Sequence, residues 1–120
     1  MDYRIREAVA YIEANYANVI SVLDLTRRTN LSLSRLEILF KRELGVPPVR
    51  YIKETRIRAA KRMFETAPAL RVKEVMAAVG INDMTYFGRQ FKRMLGMTPT
   101  EYRARCGAQQ FDERTTEGEE

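Results

Sequence analysis

The chain resembles itself, and few folds can hold such a repeat in so short a sequence. Leu44-Gly45-Val46-Pro47-Pro48-Val49-Arg50-Tyr51 matches Leu95-Gly96-Met97-Thr98-Pro99-Thr100-Glu101-Tyr102 at an offset of 51, and Phe40-Lys41-Arg42 matches Phe91-Lys92-Arg93 at the same offset. Upstream the offset is 50, with Val22, Asp24, Leu25 and Leu31 aligned on Val72, Glu74, Val75 and Ile81. One extra residue therefore sits near the turn of the second copy. Each copy reads as a short helix, a tight turn and a longer amphipathic helix, which is the helix-turn-helix pattern. Two copies separated by a helical stretch of 17 residues are too few for a solenoid.

Everything else along the chain is helical in period, so an all-α fold of seven helices is expected. Ile5, Val9, Ile12 and Tyr16 recur at steps of four, three and four, one face of a helix from about Arg4 to Ala17. Ser21 with Asp24 three residues on is a capping-box arrangement for a helix from Val22 to about Thr29. Asn30 suits a left-handed turn. Ser32 is placed to cap a helix from Leu33 to Leu44, with Leu36, Leu39 and Phe40 inward and Gly45 as its stop. Pro47 and Pro48 open a long helix to about Phe64, whose inward face is Ile52, Ile57, Ala60 and Met63 or Phe64. Pro68 breaks the chain. A short helix from Val72 to Val79 ends at Gly80, and Asn82 is expected to cap the next, from about Asp83 to Leu95. Thr98-Pro99-Thr100-Glu101 is a capping box for a last helix through Tyr102 to about Arg105.

Composition narrows the chemistry. The 120 residues are one domain's worth of chain, or two very small units. There is no histidine, which removes histidine bases and the commonest zinc ligand. The single cysteine, Cys106, rules out an internal disulfide or a multi-thiolate metal site, and no cofactor is expected. No apolar run reaches membrane-spanning length, and no apolar stretch follows a basic start, so neither a span nor a secretory signal is expected. A free thiol suits a reducing compartment, so a cytoplasmic location is expected. Charge is uneven. Residues 1–106 carry 20 basic and 11 acidic side chains, whereas residues 107–120 carry one and five. A basic head points to an anionic partner. The acidic end, with one aromatic and no apolar period, is expected to be a disordered tail.

The motifs then carry a resemblance. Leu31-Ser32-Leu33-Ser34-Arg35-Leu36-Glu37-Ile38-Leu39-Phe40-Lys41-Arg42-Glu43-Leu44-Gly45 resembles the S-x-x-x-L-x-x-x-F-K pattern, followed by glycine, of the AraC/XylS family of bacterial transcription regulators. Tyr51-Ile52 and Arg56-Ile57-Arg58-Ala59-Ala60 are similar to that family's middle helix. Val79-Gly80-Ile81-Asn82-Asp83-Met84-Thr85-Tyr86-Phe87-Gly88-Arg89-Gln90-Phe91-Lys92-Arg93, with Gly96 to Arg103 after it, resembles its second signature. The resemblance implies a DNA-binding domain over residues 1–106, with a first helix-turn-helix at about 21–45, a linker helix at about 48–65 and a second helix-turn-helix at about 71–96. It implies double-stranded DNA as the partner, RNA polymerase as a further partner where the output is activation, and an effector or dimerisation domain in most members. The chain is thus expected to be either a short stand-alone regulator or a fragment of a longer one. Two positions depart from the family, Thr26 and Met76 standing where alanine is usual, and Ile38 stands where arginine or histidine is frequent.

The outer faces of the two longer helices supply the candidate contacts. Leu36 and Phe40 face inward, which leaves Ser34, Glu37, Ile38 and Lys41 outward together. Ser34 is placed to bond a base edge or a phosphate, Glu37 to accept from cytosine N4, and Ile38 to touch a thymine methyl. Pairing of Glu37 with Lys41 one turn on is the competing use of that carboxylate. On the second helix Phe87 and Phe91 face inward, and Met84, Thr85, Gly88 and Arg89 outward. Arg89 is the leading base reader, because bidentate arginine on guanine is the commonest specific contact. Arg35, Lys41, Arg42, Lys92 and Arg93 are expected on phosphates, along with the helix starts at Ser32 and Asn82. A linker helix of 17 residues spans about 25 Å, against about 34 Å for one DNA turn. One chain is therefore expected to reach two adjacent major-groove segments.

Two other readings stay open from residues alone. One is a helical protein-interaction module that uses the repeat only for packing. The other is an enzyme acting on nucleic acid, which would have to work without histidine, a glycine-rich phosphate loop or a placed carboxylate pair; Cys106, beside Arg103 and Arg105, would be its thiol.

Overall fold

Asp2 opens the first helix by accepting from the Arg4 backbone N–H at 2.8 Å, and the described residues then run as seven helices. A computed structural model describes the backbone over residues 1–118 and the side chains over residues 1–108. In order, the helices are α1 Tyr3–Asn15, α2 Val22–Thr29, α3 Leu33–Leu44, α4 Pro48–Thr66, α5 Val72–Ala78, α6 Met84–Leu95 and α7 Pro99–Gly118. No strand occurs among the described residues. The chain divides into two compact units, residues 1–56 and 57–120, with the division inside α4.

In the first unit α1, α2 and α3 pack on one another. Ile5, Ala8 and Ile12 of α1 meet Leu25, Leu31, Leu36, Leu39 and Phe40, and Ile52 of α4 closes the cluster. Val9 packs at its margin, half-buried. Ser21 and Asp24 form both halves of the expected capping box, with Ser21 N–H donating to Asp24 Oδ2 at 2.8 Å. Asn30 then adopts φ 57°, in the left-handed region where its short amide side chain is tolerated. The buried hydroxyls of Thr29 and Thr55 donate to the carbonyls of Leu25 and Tyr51, both at 2.7 Å, so neither is an unpaired polar group in the core. Thr26, at the family's alanine position, returns its hydroxyl to the Leu23 carbonyl at 2.7 Å and stays half-buried. Arg56 fastens α4 to the chain after α1: its Nε donates to the Tyr16 carbonyl at 2.7 Å and its Nη2 to the Asn18 carbonyl at 3.0 Å.

The second unit repeats this with aromatic residues in place of leucines. Phe64, of the two candidates on α4, is the buried one; Met63 is half-buried. Its ring meets Phe91 edge-on at 5.7 Å, and Phe91 meets Phe87 at 5.8 Å and Tyr102 at 5.6 Å. Val75, Met76, Val79 and Ile81 complete the core, so Met76 fills buried volume where the family usually has alanine. Arg103 Nε donates to the Leu70 carbonyl at 2.7 Å and holds α7 against the turn before α5.

Three expectations change. The cap of α6 is Asp83 and not Asn82: the Asp83 carboxylate accepts from the Tyr86 N–H at 3.0 Å, and α6 begins at Met84. The reason is the extra residue of the second copy. Gly80 takes the left-handed turn that Asn30 takes in the first, Ile81 is buried like Leu31, and the chain needs one residue more before the cap. The linker helix α4 is 19 residues long and ends at Thr66, because Pro68 stops it only after Thr66 and Ala67 have bonded back to Arg62 and Met63. The last helix does not end near Arg105 but runs on to Gly118. Ala104 to Gln110 contains strong helix formers and no proline, and Gly107 meets no obstacle, so nothing halts α7 where the charge pattern changes. Residues 119–120 of the expected tail lie outside the described residues.

Candidate nucleic-acid interface

The two longer helices of the repeat are built alike. Both run 12 residues, both start from an oxygen side chain at the N-cap, and both end on a glycine in the left-handed region. Ser32 Oγ accepts from the Arg35 N–H at 3.2 Å in the first. Gly45 at φ 81° donates to the Lys41 carbonyl, and Gly96 at φ 82° to the Lys92 carbonyl, each at 2.8 Å. The positive φ is the reason glycine stands at both ends. An aromatic pair behind each helix repeats as well, Phe40 with Tyr51 at 5.4 Å and Phe91 with Tyr102 at 5.6 Å.

Burial of one face leaves the opposite face in water. On α3, Leu36, Leu39 and Phe40 are buried, while Ser34, Glu37, Ile38 and Lys41 are all exposed. On α6, Phe87 and Phe91 are buried, while Met84, Thr85 and Arg89 are exposed. Ile38 is 55%, Met84 45% and Leu33 44% exposed, so three large apolar side chains stand in solvent among polar neighbours on these helices. Ser32, Arg35, Arg42, Asn82, Lys92 and Arg93 are exposed too. The competing Glu37–Lys41 pair is not formed, and among the described residues Arg35, Arg42, Arg89, Lys92 and Arg93 also have no ion pair. Elsewhere carboxylates do meet cations, as Arg50 meets Glu54 and Lys61 meets Glu65, both at 2.9 Å. Among the described residues, then, no carboxylate forms an ion pair with the cations of the α3 and α6 faces.

The cap correction alters the electrostatics at one end. A phosphate was expected at a helix start capped by the neutral Asn82, but a carboxylate occupies that start and already uses the Tyr86 N–H. The α6 start is therefore less welcoming to an anion than that of α3, where the cap is a neutral hydroxyl. Leu33, 44% exposed, takes the place on α3 that Met84 takes on α6. The sequence pattern singles out Met84 alone, although the offset of 51 pairs the two.

Charge is uneven along the chain: residues 1–56 carry ten basic and seven acidic side chains, residues 57–106 ten and four, and residues 107–120 one and five. Cys106 is buried at 7% exposure, beside a cavity of about 230 Å³ lined by Glu65, Tyr102, Arg105 and Cys106. That cavity belongs to α4 and α7 and not to the exposed faces of α3 and α6. Among the described residues no group of histidine, cysteine or carboxylate side chains is assembled to hold a metal, and no helix is long and apolar enough to cross a membrane.

Comparison with known proteins agrees with this construction. A family model described as a helix-turn-helix domain matches residues 25–105. The arabinose operon regulatory protein of Escherichia coli is 36% identical over 107 residues, covering 88% of this chain and 36% of that protein. The raffinose operon transcriptional regulatory protein of Pediococcus pentosaceus is 33% identical over 100 residues, covering 83% and 36%. The chain therefore spans about a third of the length of these relatives. Among solved structures, a probable AraC family transcriptional regulator from Rhodopseudomonas palustris superposes with a TM-score of 0.80 at 26% identity, covering 88% of this chain and 98% of that one. The DNA-binding domain of the transcriptional factor AdpA, solved in complex with a target DNA, gives a TM-score of 0.81 at 27% identity, covering 88% and 94%.

Proposed function

The chain belongs to the AraC family of helix-turn-helix transcription regulators, and from that premise we propose that it binds specific double-stranded DNA through the outer faces of α3 and α6. The observation that carries this reading is the exposed face, free of ion pairs among the described residues, on each of two helices of equal length that end alike on a left-handed glycine. A packing-only repeat has no need of free arginines and solvent-exposed Ile38 and Met84 on those faces. The helices enter adjacent major-groove segments of one duplex. Ser34, Glu37, Ile38, Met84, Thr85 and Arg89 read base edges, and Arg35, Lys41, Arg42, Lys92 and Arg93 hold phosphates with the backbone at Ser32. The chain acts as a binding protein in the bacterial cytoplasm and not as an enzyme. RNA polymerase and an effector or dimerisation domain are the further partners proposed for a regulator of this kind.

Selection of binding sites from a pool of random duplexes tests the reading. Recovery of a two-segment site about one helical turn long supports it. Absence of any retardation of duplex DNA at low salt rejects it in favour of a protein-interaction module.

A further inference from the structure

Gly88 stands half-buried at the edge of the exposed face of α6, and nothing among the described residues calls for a glycine there. Its φ is not among the positive ones, so the backbone conformation suits any residue. A Cβ placed on it meets no atom within 4 Å beyond its own stretch of helix, so no neighbouring element presses against the site. Glycine in a helix interior is also unfavourable relative to alanine, because it loses more backbone freedom and shields less of the helix. The equivalent position of the first unit, at the offset of 51, is Glu37, so the repeat tolerates a long side chain at this place. Gly88 is flanked on its face by Met84, Thr85 and Arg89, all exposed.

A residue that costs helix stability and has no internal reason is explained by a close approach from outside. We propose that Gly88 is a positioning residue for duplex DNA: its missing side chain lets the α6 backbone lie directly against the groove wall, which sets how far Thr85 and Arg89 reach toward the base edges. This rests on the DNA-binding reading above. The first unit, with Glu37 in that position, makes its contacts through side chains at a greater distance from the helix axis. The second unit sits deeper.

The test uses Gly88→Ala and Gly88→Leu, both better helix formers than glycine, on the duplex that the wild-type chain recovers from a random pool. Thermal melting is expected to rise, by about 4 °C for the alanine variant. Affinity is expected to fall at least about fivefold with alanine and further with leucine, with relaxed preference at the base read by Arg89. Affinity within twofold of wild type in both variants overturns the proposal. So does weaker binding that comes with lower melting, because the glycine is then structural. Failure of the wild-type chain to recover any duplex is a separate outcome: it removes the DNA-binding reading, and this inference with it.

Discussion

The phenol of Tyr102 donates to Glu65 Oε1 at 2.9 Å, joining α7 to the end of α4 inside the second unit. Its ring packs on Phe91 and Phe64 at 5.6 and 6.3 Å. Burial, and then the bond to the Glu65 carboxylate, push the Tyr102 phenol up to about 12. A folded-state value above the ordinary one means that this contribution to stability is complete below pH 10 and is lost as pH rises through about 12. An absorbance titration at alkaline pH should therefore lose a late-titrating phenol in Tyr102→Phe. The same variant should cost about 1 kcal/mol near neutral pH, read by urea unfolding. Glu65 moves the other way, held below the usual range first by Lys61 and then by Tyr102. Its contribution is present above the ordinary carboxylate range and fades in acid, and it is small because the side chain is 39% exposed.

Asp83 allows the charge of a cap to be separated from its hydrogen bond. Asparagine caps a helix about as well as aspartate, so Asp83→Asn should leave unfolding stability nearly unchanged. Removing a negative charge from the start of the proposed DNA-reading helix should strengthen binding to any duplex severalfold at low salt, with the gain fading as salt screens it. Asp83→Ala, which loses the bond to the Tyr86 N–H, should cost about 1 kcal/mol of stability. Equal binding by wild type and Asp83→Asn at low salt would remove the α6 start from the interface.

What the sequence discloses here is what short-range physics decides. The capping box at Ser21 and Asp24, the left-handed Asn30, the stops at Gly45 and Gly96 and the buried Leu36, Phe40, Phe87 and Phe91 all follow from local chemistry and helical period. The cap of α6 does not, because Asn82 and Asp83 are both competent caps and the choice depends on how many residues the turn after Gly80 consumes. The repeat held the answer, since Ser32 falls on Asp83 at the offset of 51. The continuation of α7 past Arg105 was hidden for the opposite reason: charge suggested a boundary, while helix propensity has none there. Gly88 could not be singled out from sequence, because its meaning depends on the empty space around its Cα.

Arg56 tests the first unit by itself. Two hydrogen bonds from one guanidinium to the carbonyls of Tyr16 and Asn18 tie α4 to the end of α1. Arg56→Ala should lose about 2–3 kcal/mol, because bonds to charged groups are the stronger kind and the carbonyls lose a fixed partner. Arg56→Lys should recover less than half, since one ammonium cannot reproduce the planar fork. Urea unfolding with hydrogen exchange checks this, with the loss of protection expected in α1 and not in α6.

Arg89 decides between base reading and phosphate holding. It is exposed and, among the described residues, has no ion pair, so its alanine variant should fold as well as wild type. If it grips guanine, Arg89→Ala should weaken the selected duplex by about 1–3 kcal/mol, relax one base position and weaken random duplexes much less. If it grips a phosphate, the loss should be uniform across sequences and the log-log salt slope should shrink by about 1. For the wild-type chain with about six phosphates neutralised, that slope should be about −5. Titrations of wild type and variant at four salt concentrations, on selected and random duplexes, separate the two roles, and a flat salt dependence of the wild-type chain would remove the phosphate-holding role from Lys41, Arg42, Lys92 and Arg93 together.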